Sequence, residues 1–154
     1  MNTVITVSTM NQWNTLGSGI TELTVATNSL NDASLTVLDL TRFKRLKKIV
    51  IGDECFMYVK EVKMIGLSEL ESVEIGMNSF TKYKGTSSIT SDPNRHFYLK
   101  NCPKLKSLKI DHFSFSDYTV IEIENVDALE EIEFGSFAFY SDSLELKSIF
   151  IHSA

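Results

Sequence analysis

Apolar residues recur along this chain with a fixed spacing. The stretch 70–80 has apolar residues at its first, fourth, sixth and eleventh places and Asn78 at its ninth. With any apolar residue accepted, the same spacing begins at Ile20, Leu46, Leu70, Leu105 and Leu129. These starts are 26, 24, 35 and 24 residues apart. The residues between the apolar places of each stretch are expected to face out, so each stretch is interpreted as a strand with one buried face.

A second alternating pattern lies between these stretches. It has the form apolar-x-apolar-x-x-apolar, and its first four occurrences lead into the next start. Its occurrences begin at Leu38, Val62, Phe97, Ile121 and Leu144. Alternation of this kind predicts a second strand in each unit rather than a helix. Because no unit can bury its apolar face alone, the units are expected to stack into parallel front and back sheets.

The double pattern resembles the leucine-rich repeat family, whose period is about 20–29 residues, over residues 20–151. Its extended back segment is similar to the BspA-like branch and its protozoan relatives. That branch also favours Phe at the end of the front motif, where this chain has Phe56, Phe80, Phe115 and Phe139. The resemblance implies a mainly β, right-handed solenoid of about five coils in a single domain, 1–154. It also implies protein–protein recognition.

The ninth place of the front motif departs from the family pattern. Asn28 and Asn78 keep the Asn, whereas Glu54, Phe113 and Phe137 replace it. In the family this side chain satisfies backbone groups in the turn between coils. The two Phe residues therefore predict a remodelled turn in the last two coils.

Residues 1–19 fit neither pattern. The β-branched run Val4–Val7 predicts a strand, and Ser8 is a candidate N-cap for a short helix over 9–16. This strand and helix are expected to cap the apolar end of the first coil. The only tryptophan, Trp13, would anchor the cap; a small site around Trp13 is the alternative.

The longest spacing between starts contains about eleven residues more than the others. They fall within 81–96, a polar segment punctuated by Gly85 and Pro93, which predicts an inserted loop. Loops on rigid scaffolds often carry function, and they also tolerate insertions. Two interpretations therefore stay open: recognition through Tyr83 and Arg95, or a passive insertion.

Charge is unevenly distributed along a chain whose net charge is -5. From Asp111 onward there are ten acidic residues and one basic residue, whereas 42–48 is a small basic segment. Nucleic-acid binding requires excess Lys and Arg, so it is not expected. The acidic group does not have the spacing of a calcium loop, which favours a solvated surface or a basic partner over a metal. This acidic group consists of six of the ten residues, namely Glu122, Glu124, Asp127, Glu130, Glu131 and Glu133.

Polar residues of the front strands are expected to face solvent in two columns. One column reads Thr21, Lys47, Glu71, Lys106 and Glu130, and the other reads Thr24, Val50, Glu74, Lys109 and Glu133. Opposite charges on neighbouring strands contribute about 0.2–1 kcal/mol, so the columns are interpreted first as ladders that fix register. They are also compatible with a mixed-charge recognition surface. The candidate protein-binding surface comprises Lys47, Lys48, Val50, Glu71, Glu74, Tyr83, Arg95, Lys106, Lys109, Glu130, Glu131 and Glu133.

No motif in the sequence predicts catalysis. His96, His112 and His152 have no ligand-type neighbours at metal-binding spacing, and the common nucleotide, hydrolase and metalloprotease motifs are absent. Cys55 and Cys102 are too few for a disulfide framework and are expected to be buried thiols. The chain is therefore predicted to have no enzymatic activity, no cofactor and no metal.

The remaining expectations concern location and partners. The N-terminus has no signal-peptide features, and no apolar run approaches the roughly 18–20 residues that span a bilayer, so a cytoplasmic protein without membrane insertion is expected. Protein–protein recognition is the first functional hypothesis. The second is a structural or self-associating module, a homo-oligomer joined through an open C-terminal edge. A carbohydrate- or lipid-binding surface is disfavoured by the few aromatic residues on the predicted exposed face.

Overall fold

The structure, a computed structural model, describes residues 2–82, 92–139 and 145–148, with backbone alone for 92–93 and 145–148. Within these residues the chain forms a short helix, α1 (Met10–Asn14), and eleven strands. The strands are β1 (Val4–Val7), β2 (Glu22–Val25), β3 (Val37–Asp39), β4 (Lys48–Ile51), β5 (Glu61–Ile65), β6 (Ser72–Ile75), β7 (Asp92–Lys100), β8 (Ser107–Ile110), β9 (Tyr118–Glu124), β10 (Glu131–Phe134) and β11 (Glu145–Ser148).

The strands form two parallel sheets, and from β2 onward successive strands alternate between them. The six-stranded sheet, called the front sheet, has the order β1-β2-β4-β6-β8-β10. The five-stranded sheet, called the back sheet, has the order β3-β5-β7-β9-β11. The prediction of a mainly β chain with parallel front and back sheets is therefore confirmed.

A ladder of stacked phenylalanine rings runs through the core. The rings of Phe56, Phe80, Phe115 and Phe139 follow one another with centroid distances of 5.0, 4.5 and 4.8 Å and nearly parallel planes. All four are buried, as the sequence predicts. Aromatic pairs of this kind contribute about 0.5–1.5 kcal/mol beyond the burial of their area.

The N-terminal segment packs on the start of this ladder. Trp13, which is 8% exposed, packs edge-on against the Phe56 ring, with the two ring centroids 6.1 Å apart. The prediction that Ser8 caps the helix is wrong: Thr9 is the N-cap, and its hydroxyl accepts a hydrogen bond from the Gln12 N–H. Gln12 in turn accepts from the Thr9 N–H, so the two residues form a capping box. The helix ends at Asn14, two residues earlier than expected.

Each of the strands β2, β4, β6, β8 and β10 is followed by the same turn. It contains two residues of positive φ separated by one residue. The first of these are Asn28, Glu54, Asn78, Phe113 and Phe137, with φ of 57°, 57°, 56°, 64° and 63°. The second are Leu30, Phe56, Phe80, Phe115 and Phe139. The remodelled turn expected at Phe113 and Phe137 is therefore wrong.

Backbone hydrogen bonds explain why the turn does not depend on its side chain. The Asn28 N–H donates to the Asp53 carbonyl at 2.8 Å, and the Phe113 N–H donates to the Ser136 carbonyl at 3.0 Å. In the opposite direction, the Phe80 N–H donates to the Cys55 carbonyl at 2.8 Å. Both positive-φ residues are thus held by the neighbouring turns, which fixes the backbone for Asn, Glu and Phe alike.

The predicted inserted loop, 81–96, ends earlier than expected. Strand β7 begins at Asp92, because its backbone pairs with β5 and β9. Arg95 lies in this strand and is 1% exposed, so its assignment to an exposed surface is wrong. Its guanidinium donates to the Val59 carbonyl and pairs with Asp117 in the interior. Tyr83 lies outside the described residues.

Both cysteines are buried free thiols, as predicted. Cys55 Sγ donates to the Ala26 carbonyl at 3.1 Å, and the equivalent Ser79 hydroxyl donates to the Gly52 carbonyl. Burial raises the pKa of the Cys55 and Cys102 thiols above the ordinary value, which disfavours the reactive thiolate form. The part of the chain that the structure describes includes no helix with the length and apolar character needed to cross a membrane.

Candidate functional site

The outward column of the front sheet has the predicted register. Thr24 pairs with Val50, Val50 with Glu74, Glu74 with Lys109, and Lys109 with Glu133, each on neighbouring strands. The other predicted column differs at its first member. Thr21 is 2% exposed rather than outward-facing, because its hydroxyl exchanges hydrogen bonds with the Thr3 backbone.

Most of the predicted surface residues do reach solvent. Val50 and Lys109 are half-buried. The exposed members are Lys47, Lys48, Glu71, Glu74, Lys106, Glu130, Glu131 and Glu133. These ten residues lie on or directly before four neighbouring front strands, so they share one face of the molecule.

The charge ladder forms at one end of this face. Lys109 Nζ lies 3.0 Å from a Glu131 oxygen and 3.6 Å from a Glu133 oxygen. The hydrogen bond with Glu131 raises the pKa of Lys109 and lowers the pKa of Glu131. The shorter contact is thus diagonal across the sheet rather than along the predicted column.

The rest of the front face carries charges without ion-pair partners. Glu71 and Lys106 are neighbours through the backbone, since the Lys106 N–H donates to the Glu71 carbonyl at 2.8 Å. Their side chains nevertheless form no ion pair. In the part of the chain that the structure describes, the front-face charges without an ion pair within 4.0 Å are Lys47, Lys48, Glu71, Glu74, Lys106 and Glu130.

The outer face of the back sheet is organised differently. Lys100 Nζ lies 2.8 Å from Glu122, and Glu61 lies 3.2 Å from Lys63. The Tyr98 ring lies beneath Lys100, with Nζ 5.3 Å from its centroid. The lysine and glutamate charges on this face therefore largely neutralise one another. Only the front columns were predicted from the sequence, although the back motif also has charged residues in one register, with Asp39 beside Lys63 and with Tyr98 between Lys63 and Glu122.

An open groove of about 390 Å³ crosses β4, β6, β8 and β10 near their carboxyl ends. Glycines line it at three places, Gly52, Gly76 and Gly135. A Cβ at Gly76 would lie 2.8 Å from the Asp53 nitrogen, and a Cβ at Gly135 would lie 2.6 Å from the His112 nitrogen. Close approach of the neighbouring backbone therefore leaves no room for a side chain at these positions.

Asp111 takes the place of a glycine in this series. Its N–H donates to the Ile75 carbonyl, as the Gly135 N–H donates to the Ile110 carbonyl one strand further along. The Asp111 carboxylate is hydrogen-bonded to the His112 ring and N–H, and the ring contact lowers the pKa of Asp111. The sequence interpretation missed this groove, although a glycine directly after a predicted front strand was a visible signal.

The groove has more carboxylates than cations. Its ionisable lining residues are Asp53, Glu74, Lys109, Asp111, His112 and Glu133. Val50, half-buried on β4, is an outward-facing apolar side chain in the groove. Phe134 ends β10 in register with the buried Ile110, so its ring, 45% exposed, lies on the inward side of the sheet beside Phe139. This arrangement can hold a cationic group beside an apolar one. It does not form a metal site: nowhere in the described residues do three or more His, Cys, Asp or Glu side chains come together so as to hold an ion.

Other apolar side chains are exposed near the end of the front sheet. Ile132 is 40% exposed on β10, in line with positions that are buried on β4, β6 and β8. Phe113 and Phe137 stack with a centroid distance of 4.9 Å, and Phe137 is 37% exposed. The sequence did not predict this aromatic pair, because the equivalent turn positions are polar in the other units.

Comparison with known proteins gives no match, whether to a family model, to a curated protein or to a solved structure.

Proposed function

We propose that the chain is a right-handed solenoid of the leucine-rich-repeat type and that it acts as a protein–protein recognition module. Two features of the fold support this interpretation: the strands alternate between two parallel sheets, and the spacing of apolar residues follows the two repeated motifs. The recognition surface is the front face. The proposal assigns no catalytic activity and no cofactor to the chain.

The difference between the two outer faces carries this proposal. On the back sheet, charged side chains pair with one another, as Lys100 does with Glu122. On the front face, Lys48, Glu74 and Lys106 have no ion pair in the described part of the chain. Charges that are not neutralised within the molecule can be matched by a partner. Such complementarity contributes specificity and speeds association.

The mixed sign of these charges favours a protein over a nucleic acid. Lysines and glutamates follow one another from β4 to β8, so no continuous positive stripe exists for a phosphate backbone. A protein surface or segment can present both signs at matching positions. The strands beneath these residues are paired on both sides, which gives the charges fixed relative positions.

Affinity capture with charge-reversed variants tests the proposal. The front variant combines Lys48→Glu, Glu74→Lys and Lys106→Glu, none of which breaks an ion pair in the described residues. The control is Lys44→Glu, which changes an exposed residue in the connection between β3 and β4. It changes the net charge by the same amount as the front variant. Thermal unfolding of all three proteins establishes that each is folded.

The expected result is a defined set of proteins, identified by mass spectrometry, that the parent and Lys44→Glu both retain and the front variant loses. Retention of the same set by the front variant would overturn the assignment of the front face. A set lost equally in the front variant and the control would show that net charge alone drives capture.

Self-association is a second candidate, favoured by one observation. Among the strands that the structure describes, β10 is at the edge of the front sheet, and its Ile132 and Phe134 are 40% and 45% exposed. Exposed apolar side chains on an edge strand favour pairing with another chain. Sedimentation velocity over a hundredfold concentration range tests this, with Ile132→Lys as the disrupting variant. A concentration-dependent shift that the substitution abolishes supports self-association, and a constant monomer rejects it.

A further inference from the structure

We propose that the free edge of β1, the edge opposite β2, is a second docking site that pairs through its backbone with an extended segment of a protein partner. This inference goes beyond the recognition surface proposed above, because it involves other residues and main-chain groups. In the part of the chain that the structure describes, β1 is at one end of the front sheet and pairs with β2 alone. The free edge is therefore not occupied by another described strand.

The hydrogen bonds to β2 identify the backbone groups on the free edge. The Thr3 carbonyl accepts from the Glu22 N–H at 3.1 Å, and the Val7 carbonyl accepts from the Ala26 N–H at 2.9 Å. Successive strand residues direct their N–H and C=O groups to opposite edges. The groups of residues 4 and 6 therefore point away from β2, and in the described residues no hydrogen bond outside the sheet ladder involves them.

An open groove of about 730 Å³ lies along this edge. The four consecutive residues Thr3–Thr6 all line it, which indicates that it follows the edge of the strand rather than one face of the sheet. Its other side is formed by α1 and by the connection that returns to β2, through Gln12, Leu16 and Gly19. No atom lies within 4 Å of a Cβ built at Gly19. The groove therefore leaves room for another extended chain beside β1.

The helix protects only the carboxyl end of the edge. The Gln12 Oε1 atom accepts a hydrogen bond from the Ser8 N–H at 2.7 Å. Ser8 is two residues after Thr6, so its N–H continues the same edge. An amide carbonyl of the chain itself thus already occupies the last donor on this edge, and a partner's backbone carbonyl would bind the Thr6 N–H in the same way.

Strand β1 also lacks the features that usually protect an edge, which are short length, charged side chains, proline and bulges. Among the other described edge strands, β3 has three residues and ends on Asp39, whereas β10 and β11 contain Glu131 and Glu145. In contrast, β1 has the sequence VITV and pairs with β2 in unbroken register. Its Val4 side chain is 58% exposed. An uncharged, regular and β-branched edge of this kind favours the addition of a strand.

The side chains around the groove indicate the composition of the partner segment. Ile5 and Leu16 are half-buried apolar residues in its lining. Ile5 is in register with the buried Leu23, so an apolar side chain of the partner beside Ile5 would extend the core. Arg45 is the one ionisable residue among the described lining residues; it is exposed and has no ion pair there. The expected segment is therefore a short apolar strand with an acidic residue at one end.

Fluorescence anisotropy with designed peptides tests this inference. The probe is a labelled peptide with blocked ends and the sequence Glu-Thr-Val-Thr-Val-Thr-Glu, which presents an acidic end in either chain direction. Two comparison peptides carry backbone N-methyl groups, one on both Val residues and the other on two of the Thr residues. Because alternate residues direct their N–H groups to the same edge, each methylated peptide keeps one intact hydrogen-bonding edge. A third comparison peptide replaces both Glu residues with Lys.

The main protein variant is Thr6→Pro. It removes an N–H from the free edge and leaves the hydrogen bonds to β2 in place, a position where edge strands tolerate proline. The matched control is Val37→Pro on β3. The Leu40 N–H donates to the Lys63 carbonyl of β5, so the Val37 N–H, an odd number of residues away, points to the free edge of the back sheet. Thermal unfolding establishes that both variants are folded.

The expected result is saturable binding of the probe below about 1 mM, which one methylated peptide retains and the other loses. Thr6→Pro should weaken the probe about tenfold or more, because it removes a hydrogen bond and places a ring on the edge. Arg45→Gln should weaken it about two- to fivefold, the range for an exposed charge contact, and the Lys-flanked peptide should also bind more weakly. The controls Val37→Pro and Lys44→Gln should leave the affinity unchanged.

The inference is overturned by no saturable binding, by equal binding of the two methylated peptides, or by an affinity that Thr6→Pro leaves unchanged. Sedimentation velocity of the parent and Thr6→Pro tests the other occupant. A parent that self-associates and a Thr6→Pro variant that is monomeric would assign the edge to a second copy of the chain, which also overturns the proposed partner segment. None of these outcomes decides the front-face proposal, because the front variant leaves β1 unchanged and is tested by capture.

Discussion

Arg95 Nε lies 3.5 Å from Asp117 Oδ2, and the two side chains are 1% and 2% exposed. The guanidinium also donates to the Val59 carbonyl at 3.1 Å, and the Tyr118 hydroxyl donates to the same carbonyl at 2.7 Å. Asp117 Oδ1 has no hydrogen-bond partner within the described ranges. This buried ion pair joins β7 to Asp117, the residue directly before β9.

Removal of one member of this pair should strongly destabilise the protein. Arg95→Met leaves the Asp117 carboxylate buried without its counter-charge, and the expected loss is about 3–5 kcal/mol of unfolding free energy. The double variant Arg95→Met, Asp117→Leu removes both charges and should recover most of that loss. Urea denaturation of the three proteins measures this. A double variant no more stable than Arg95→Met would show that the pair itself is not the cause.

Asp117 should also give the stability a defined pH dependence. Burial raises the pKa of Asp117, although the Arg95 charge opposes this effect. A carboxyl group with a folded pKa above its unfolded value, about 3.9, binds protons more tightly in the folded state. Its contribution is therefore present below the unfolded pKa and is lost as pH rises through the folded pKa.

The comparison of the parent with Asp117→Asn between about pH 3 and pH 7 tests this direction. The stability of the parent relative to the variant should fall as the pH rises. A relative stability that instead increases with pH would show that the attraction of Arg95 exceeds the cost of burial.

Gly76 should be far less replaceable than Gly19. A Cβ at Gly76 would lie 2.8 Å from backbone atoms of Gly52 and Asp53, whereas nothing lies within 4 Å of one at Gly19. Gly76→Ala should cost about 1–3 kcal/mol, the usual range for overpacking. Gly19→Ala should be neutral or stabilise by up to about 1 kcal/mol. Thermal unfolding of the two variants measures the difference, and similar midpoints would contradict the close backbone packing.

Phe113 and Phe115 share a left-handed backbone but differ in their surroundings. Their φ values are 64° and 59°, yet Phe115 is fully buried in the ring ladder and Phe113 is only half-buried. Phe113→Asn relieves about 1 kcal/mol of backbone strain and loses about as much from the stack with Phe137. We therefore expect little net change in stability.

Phe115→Asn is the matched comparison and should cost at least about 3–5 kcal/mol, because it leaves a cavity and buries an amide. Denaturant titrations of both variants test the contrast. Equal destabilisation would mean that the turn itself depends on an aromatic residue, contrary to the hydrogen bonds that hold its backbone.

Alternation in the sequence was sufficient to predict the outward column from Thr24 to Glu133, because side chains in a strand face opposite sides in turn. It was not sufficient for Arg95, which lies in a polar stretch and is paired by Asp117, a residue 22 positions away in the chain. The turn at Phe113 was misjudged for a related reason. Its conformation is set by the backbone of the neighbouring turn at Ser136, and side-chain identity carries no information about that contact.

The glycine-lined groove was only partly predictable from the sequence. Gly52 and Gly76 both directly follow a predicted front strand, so their place in one column was accessible from the sequence. The depth of the groove was not, since it depends on how closely Asp53 and His112 approach the next strand. The pairing of Lys109 with Glu131 rather than along its own column likewise depends on side-chain geometry.

Nuclear magnetic resonance mapping of a captured partner on the isotope-labelled chain would locate the binding surface residue by residue. Amide shifts are expected to cluster on the front face, at Lys48, Glu74, Lys106 and Lys109, while the back sheet at Lys63, Tyr98 and Glu122 remains unperturbed. Shifts that cluster on the back sheet instead, with the front face unchanged, would contradict the assignment of the front face.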